Sequence, residues 1–504
     1  MSGLDISIVL TLHREGKYLP RTLMSLSEAA VFATRAGLSL ECVAVFDKSD
    51  ALTRGAFACT RLEGLAAVQT IDAENGCVSR SRNDGCAAVR GKYTFILDGD
   101  DLISYSIFPR MLRDAERFGP KTILTPKFLF GFGRSFFSVE YFDSDDIHAE
   151  DMVFQHLFNS RIFAHNTLFR SLSYEPVAHR GGHAFEDWHF NCQAMARGYS
   201  FRTVEQTAWF YRQRLDSRNH EAEAITTRQI LPSELFDPAV FLRTCPAAAP
   251  RSAPSPSVPR GGKVLNDPVY VDLLAHANRI DPSLFIGNYH WRSIGHFNNL
   301  TNGSIGGAYR FVCEIVGTAR FGAIFFLSSD RTVPAPVLER MVSLATERPR
   351  QKVAAWFNGE GAAHNSLEEM PPAVHALDFG RMFPYLEATA RDVLCLKLLE
   401  ACGGTASLHF VASSFAHRFF SRFKAVLGGR STTYYRSPCE IQLDGGEAFR
   451  ESESFQFISE YIDDLDEIVP LDSESTVFDQ RRFRYGARKY RDPLRSADVP
   501  VVAD

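Results

Sequence analysis

The chain has 504 residues, a net charge of -5 and a pI near 6.3. It therefore carries no basic field for nucleic acid, and its sequence holds no apolar run of the roughly 18 residues that a bilayer-spanning helix needs. Its ten cysteines include no Cys-x-x-Cys pair, which argues against a zinc site and reads as buried thiols of a reducing, cytoplasmic compartment.

In chain order, "ISIVLTL" is a continuous apolar run, Tyr18 to Ala36 is amphipathic, "CVAVF" is a second apolar run, and "YTFIL" is a third after another mixed segment. Such runs separated by helical stretches predict a mostly parallel sheet covered on both faces, with ligands at the carboxyl ends of its strands. The apolar run at the N-terminus stops at His13 and has no basic lead, so no secretory signal is expected. Contact with the inner face of a membrane stays open. His13, Asp47 and the Asp98 cluster each follow one of the three runs and converge on one rim. The 41 phenylalanines gather in runs such as "FLFGFGRSFF", which suits either core packing or a surface that stacks on flat ligands.

The third run ends as "FILDGDDLIS", with Asp98, Asp100 and Asp101 within four positions. Carboxylates this close raise one another's pKa unless a cation or a set of donors compensates them, so either a metal sits there or the acids cap a turn and the next helix. Asp98 and Asp100 flank Gly99 and can face one Mg2+ or Mn2+ that bridges a diphosphate, while Asp101 is the better helix cap. Just upstream, "NGCVSRSRNDGCAAVRG" predicts a helix carrying Arg80 and Arg82 near its start. Cations and a helix N-terminus beside an acidic rim are what a nucleotide diphosphate needs.

Further on, "GGHAFEDWHFNC" places Glu186 and Asp187 at a helix start, where the dipole favours acids, and Trp188 is either a sugar platform or core. "PAAAPRSAPSPSVPRGG" reads as an extended linker. Four segments follow: a first α/β domain over 1–225, connecting segment and linker over 226–262, a second α/β domain over 263–490, and a loose tail over 491–504. In the second domain "RFGAIFFLSS", "KVAAWFNG" and "SLHFVASS" predict buried strands, and "EATARDVLCLKLLEACGG" an amphipathic helix closed by glycine. His290 and His296 lack a third metal ligand nearby and read as structural.

Taken together, "ISIVLTLHREGKYLPRTLMSL", "CVAVFDKSD", "NGCVSRSRNDG" and "FILDGDD" resemble, in order, the motifs of the inverting family 2 glycosyltransferases of the GT-A fold, over roughly residues 5 to 220. That resemblance implies a Rossmann-like nucleotide-sugar domain, an Mn2+ or Mg2+ cofactor, a nucleotide-diphosphate sugar donor and a carbohydrate or lipid-linked acceptor. By position, Thr11 and His13 frame the base, Asp47 contacts base or ribose, and Arg82 faces base or diphosphate. Asp98 approaches ribose and metal, and Asp100 ligates the metal. Asp187 takes the place of the general base with Glu186 in support, and Arg212 of "WFYRQR" becomes a diphosphate contact. The sequence departs from the family's pattern at Phe46, where a paired acid is usual, and at Thr11, Gly76 and Ser81. It also lacks the Gln-x-x-Arg-Trp of processive synthases, so transfer of one or a few residues is expected, in glycan or surface polysaccharide biosynthesis.

The second domain more weakly resembles the N-terminal, acceptor-side half of GT-B glycosyltransferases. The alternative to catalysis is a degenerate transferase serving as a binding or scaffold subunit, suggested by Phe46. Donor sugar, acceptor, linkage and oligomeric state are not written in the sequence.

Overall fold

A computed structural model describes residues 3–145, 149–177, 182–214, 229–245, 261–289, 294–296, 303–347, 350–359, 367–368, 370–438 and 453–491. Most of the Pro/Ala/Ser-rich linker, almost all of the tail, His290 and the side chain of His296 lie outside it. The chain forms two compact units, one of residues 1–235 with 240–310, the other of residues 236–239 with 311–504.

The first unit opens with β1 (Ile6–Leu12), α1 (Leu19–Arg35), β2 (Leu40–Asp47), α2 (Ala51–Ala58), β3 (Ala67–Ala73), α3 (Val78–Ala88) and β4 (Tyr93–Asp98). Every residue of β1 and β2 is buried, as the uninterrupted apolar runs require of strands covered on both faces. β3 alternates partly buried and exposed residues, the pattern of an edge. The parallel register sets Thr11 beside Asp98 and Leu12 beside Phe46, which brings the carboxyl ends of β4, β1 and β2 to one rim. α1 lays Leu19, Leu23, Leu26 and Ala30 on the sheet, so the expected amphipathic helix is present.

Next come β5 (Leu102–Ile103), α4 (Ile107–Phe118), β6 (Thr122–Gly133), β7 (Phe137–Glu140), β8 (Phe163–His165), α5 (Thr167–Ser171), α6 (Glu186–Ala196) and β9 (Ser200–Gln213). β8 pairs antiparallel with β4 and with β6, while β9 runs parallel to β6 along most of its length. Phe128, Phe130 and Phe132 share one face of β6 and are buried, so this part of the phenylalanine run is core.

What covers those rings is α7 (Pro268–Ile280), whose Tyr270, Leu273, Leu274 and Ala277 join Phe128, Phe130 and Phe210 in one cluster. The division expected at residue 263 is thus not where the packing divides. α7 and the turn after it complete the first unit, and the compact second unit begins near residue 311. A strand β10 (Ile294–His296) pairs with β7 and makes the sheet ten-stranded.

The second unit holds β11 (Phe321–Leu327), α8 (Ala335–Glu347), β12 (Lys352–Phe357), β13 (Val374–Asp378), α9 (Phe379–Met382), α10 (Ala388–Cys402), β14 (Ser407–Val411), α11 (Ser414–Phe423), β15 (Thr432–Arg436), α12 (Glu453–Tyr461), β16 (Glu467–Pro470) and α13 (Ser473–Arg482). All its strand pairs are parallel, in the order β13-β12-β11-β14-β15-β16. Counting from β11, that is the 3-2-1-4-5-6 order of a doubly wound, Rossmann-like sheet. The three strands expected from the sequence are β11, β12 and β14. One expectation fails: α10 is not amphipathic, because Arg391 through Leu399 are all buried. Its polar residues are satisfied inside, Arg391 by Asn358 and by the Phe383 and Leu386 carbonyls, Asp392 by Arg418. Among the described residues, no helix is long and apolar enough to cross a membrane.

Candidate active site

The rim is built where β4 turns. Gly99 sits so tightly that a Cβ there would lie 2.6 Å from Leu12 Cδ2, so the turn accepts only glycine without a shift. Thr11 Oγ1 donates to Asp98 Oδ1 at 3.0 Å. Arg161, just before β8, forms an ion pair with Asp98 and lies 2.8 Å from Asp101 Oδ2. Burial works to raise the Asp98 carboxyl, but the Arg161 and Arg82 guanidiniums and the Thr11 hydroxyl outweigh it and hold the group well below the usual carboxylate range.

Asp101 is not a helix cap. It is fully buried and accepts from Arg161, from Trp209 Nε1 at 2.9 Å and from the Arg212 amide at 3.0 Å, while Ser106 stands at the N-cap of α4. Asp100 meets Arg214 Nε at 2.8 Å. Burial and then the Asp101 carboxylate, with smaller contributions from Asp98 and Glu15, push the Asp100 carboxyl up to about 8 against the pull of Arg214.

At the end of β2, Asp47 serves the protein itself. Its oxygens accept from the amides of Gly76 (2.8 Å) and Cys77 (3.0 Å) and from Ser81 Oγ (2.9 Å), and its side chain is buried. The residue expected to contact a base or ribose thus ties the β3–α3 loop to the sheet, and Gly76 permits that loop through a positive φ of 62°. His13 Nδ1 lies 2.7 Å from the Asp47 carbonyl, which fixes the ring at the mouth of the same loop.

Arg82 joins the two acidic motifs. Its guanidinium is buried, 2.8 Å from Glu186 Oε1 and 3.4 Å from Asp98, and lies over the Tyr174 ring. The cation expected to face a nucleotide is therefore held by carboxylates on both sides. Arg80, by contrast, is exposed. Burial raises the Glu186 carboxyl, Arg82 opposes that, and Asp187 reinforces it. Asp187 is the second residue of α6, two positions after Phe185, whose left-handed φ of 61° is strained for a bulky residue, and strain of this kind collects at functional sites. Asp187 keeps part of its side chain exposed, and Oδ1 accepts from the Trp188 amide at 2.9 Å. Trp188 is buried, with Nε1 donating to the Met152 carbonyl at 3.0 Å, so it is core and not a platform.

Arg212, the expected diphosphate contact, is buried over the rings of Tyr18 and Phe132 and pairs with Asp281 at 2.7 Å, its Nε donating to the Asp100 carbonyl. The side chains that sequence reasoning missed are Arg161, Glu15, Arg214 and His156. Arg161 stands in "FNSRIFAH", one basic residue directly before a short apolar strand. That was the available signal, and it acquires meaning only once β8 pairs with β4.

Among the described residues, no three His, Cys, Asp or Glu side chains cluster to hold a metal ion. Asp98 is taken up by guanidiniums and a hydroxyl, so the expectation of two metal ligands narrows to Asp100. Its raised carboxyl lies among other acids and is the group that a cation would satisfy. The buried polar atoms here without a partner are donors, Arg82 Nε and Arg161 Nη1, which call for an anion. A cation bound with an anionic ligand fits both demands.

The first unit thus has a mostly parallel α/β sheet with an acidic turn after its central strand, bridged by Arg82 to a second acidic motif at a helix start. Residues 7–138 match the model of "Glycosyl transferase family 2". A 52-residue stretch is 40% identical to "Uncharacterized glycosyltransferase EpsJ" of Bacillus subtilis (strain 168), covering 10% of this chain and 15% of that protein's length. Solved structures of S. aureus TarS 1-349 with UDP-GlcNAc and with UDP are similar at 13% identity, each with 55% of this chain and 81% of that one covered. Their TM-scores of 0.35 and 0.33 are too low to bear on function.

Proposed function

We propose that the first unit is an inverting, non-processive glycosyltransferase that moves a sugar from a nucleotide-diphosphate donor to a carbohydrate or lipid-linked acceptor in surface glycan synthesis. The observation that carries this reading is the position of Arg82. One buried guanidinium touches both Asp98 of the acidic turn and Glu186 of the helix start, which supports reading the two motifs as the donor and acceptor sides of one site.

In the proposed reaction Asp187 takes the proton of the acceptor hydroxyl, whose oxygen attacks the anomeric carbon from the face opposite the diphosphate. The new glycosidic bond forms as the bond to the diphosphate breaks, the electron pair leaves with the nucleoside diphosphate, and the anomeric configuration inverts. Arg214, beside Asp100, lies where negative charge on the leaving group would gather. A Mg2+ or Mn2+ held by Asp100 would supply Lewis-acid stabilisation of that leaving group.

A panel of UDP-, GDP- and dTDP-linked sugars with Mn2+ or Mg2+ tests the reading through release of nucleoside diphosphate. The chain should hydrolyse at least one member slowly. Asp187→Asn should lower that rate by about 10²- to 10⁴-fold while leaving stabilisation by the nucleoside diphosphate intact. An unchanged rate would reject Asp187 as the base, and neither hydrolysis nor stabilisation with any member would favour a non-catalytic scaffold.

A further inference from the structure

His156 lies beside the proposed base and is not part of the family motifs. Its Nδ1 is 3.9 Å from Asp187 Oδ2, and its ring stacks on Trp188 with centroids 6.2 Å apart and planes 7° from parallel. The Trp188 bond to the Met152 carbonyl anchors that stack. On the other edge, Asn191 Nδ2 lies 2.8 Å from His156 Nε2 and 3.4 Å from the Asn159 carbonyl. A carbonyl only accepts, so the Asn191 amide presents N–H groups to both neighbours, and Nε2 is the acceptor. Burial favours the neutral imidazole, against the opposing pull of Asp187. A neutral ring that accepts at Nε2 carries its proton on Nδ1, which is the edge that faces Asp187.

We propose that His156 is a positioning residue: its Nδ1–H faces the Asp187 carboxylate and holds it ionised and in one orientation for removal of the acceptor proton. This rests on the reading of Asp187 as the base. The other groups that act on Asp187 come from several elements. Arg82 of α3 is cationic, Glu186 stands beside Asp187 on α6, and the hydroxyls of Tyr141 and Tyr174 sit well above their usual range and stay neutral. His156 adds a neutral donor, whereas the Arg82 guanidinium is bonded to Glu186 and Asp98. At 3.9 Å the Nδ1 to Oδ2 separation is too long for a hydrogen bond in the ligand-free chain, and the proposal requires it to shorten in the reacting complex.

The test is the pH profile of nucleotide-sugar hydrolysis by the full chain with Mn2+, using the panel member that the wild type hydrolyses. His156→Phe keeps the stack on Trp188 and removes the N–H. Without the donor the Asp187 carboxylate is harder to form, so the acid limb should move to higher pH by about one unit. The rate should fall about tenfold on that limb, remain within about twofold on the plateau, and leave stabilisation by the nucleoside diphosphate unchanged. His156→Gln, which keeps an N–H, should restore part of the shift. A His156→Phe profile that superimposes on the wild type overturns the proposal, as does a rate loss matched by loss of nucleotide stabilisation. Should His156→Phe fail to fold, Asn191→Leu frees Nε2 and should move the limb in the same direction; no movement overturns the proposal. Asp187→Asn in parallel separates the two ideas. If it is inactive while the His156 profiles do not move, only the role of His156 falls. If it is fully active, or the wild type hydrolyses nothing, the base reading and this one fall together.

Discussion

Removing the Arg161 guanidinium would leave the partly exposed Asp98 beside the fully enclosed carboxylate of Asp101. Arg161→Met should therefore destabilise the first unit by about 3–5 kcal/mol, the usual cost of deleting one partner of a buried ion pair. Urea unfolding followed by tryptophan fluorescence measures this, and a loss under about 1 kcal/mol would mean that the pairs behave as solvent-exposed ones. Asp98 contributes in the opposite sense to the usual buried acid. Its carboxyl is depressed because two guanidiniums outweigh its burial, so its contribution is present above the ordinary carboxylate range and is lost as pH falls through the depressed value.

At the scale of elements, the short turn Ala149–Val153 carries a built-in pH dependence. Burial and then the neighbouring Glu150 push the Asp151 carboxyl up to about 7, against the Gly306 amide that donates to it. A raised acid contributes its full stability below the unfolded value and loses it as pH rises through the folded one. Asp151→Asn should therefore gain about 2 °C or more in melting temperature at pH 8, with little gain near pH 4. A gain that is equal at both pH values would contradict the sign. The same scale shows what was legible in advance. Continuous apolar runs marked β1, β2, β4, β11, β12 and β14, because a strand buried on both faces needs that pattern and little else. α10 was misread because an apolar stripe interrupted by Arg391, Asp392 and Lys397 looks amphipathic until their buried partners are known. The acids of the rim were readable as a cluster. Their cations were not: Arg161 meets Asp98 from 63 residues away, and Arg212 meets Asp281 from 69 residues away. Local sequence says that a charge needs a partner, not which one.

For the whole molecule, α7 is the decisive element. Its place after a linker-like stretch put it in the second domain expected from the sequence, whereas it covers Phe128, Phe130 and Phe210 of the first sheet. A chain cut after residue 262 should expose those rings, and should melt at a lower temperature and aggregate sooner than a chain cut after residue 316. Scanning fluorimetry with light scattering compares the two, and equal behaviour would mean that α7 is dispensable to the first unit. The family match ends at residue 138, so the boundary had to come from packing.

The late position of α7 also sets a clock. β9 ends at Gln213, yet the aromatic face of β6 and β9 is closed only when Tyr270 accepts the Gln206 amide and Asp281 reaches Arg212. At ribosomal speeds of about 5–20 residues per second, the intervening chain takes on the order of 3 to 13 s to appear. For that interval the nascent sheet, still lacking β10, stands uncovered on that face, so the yield of folded protein should depend on elongation rate and on chaperones that shield apolar surface in transit.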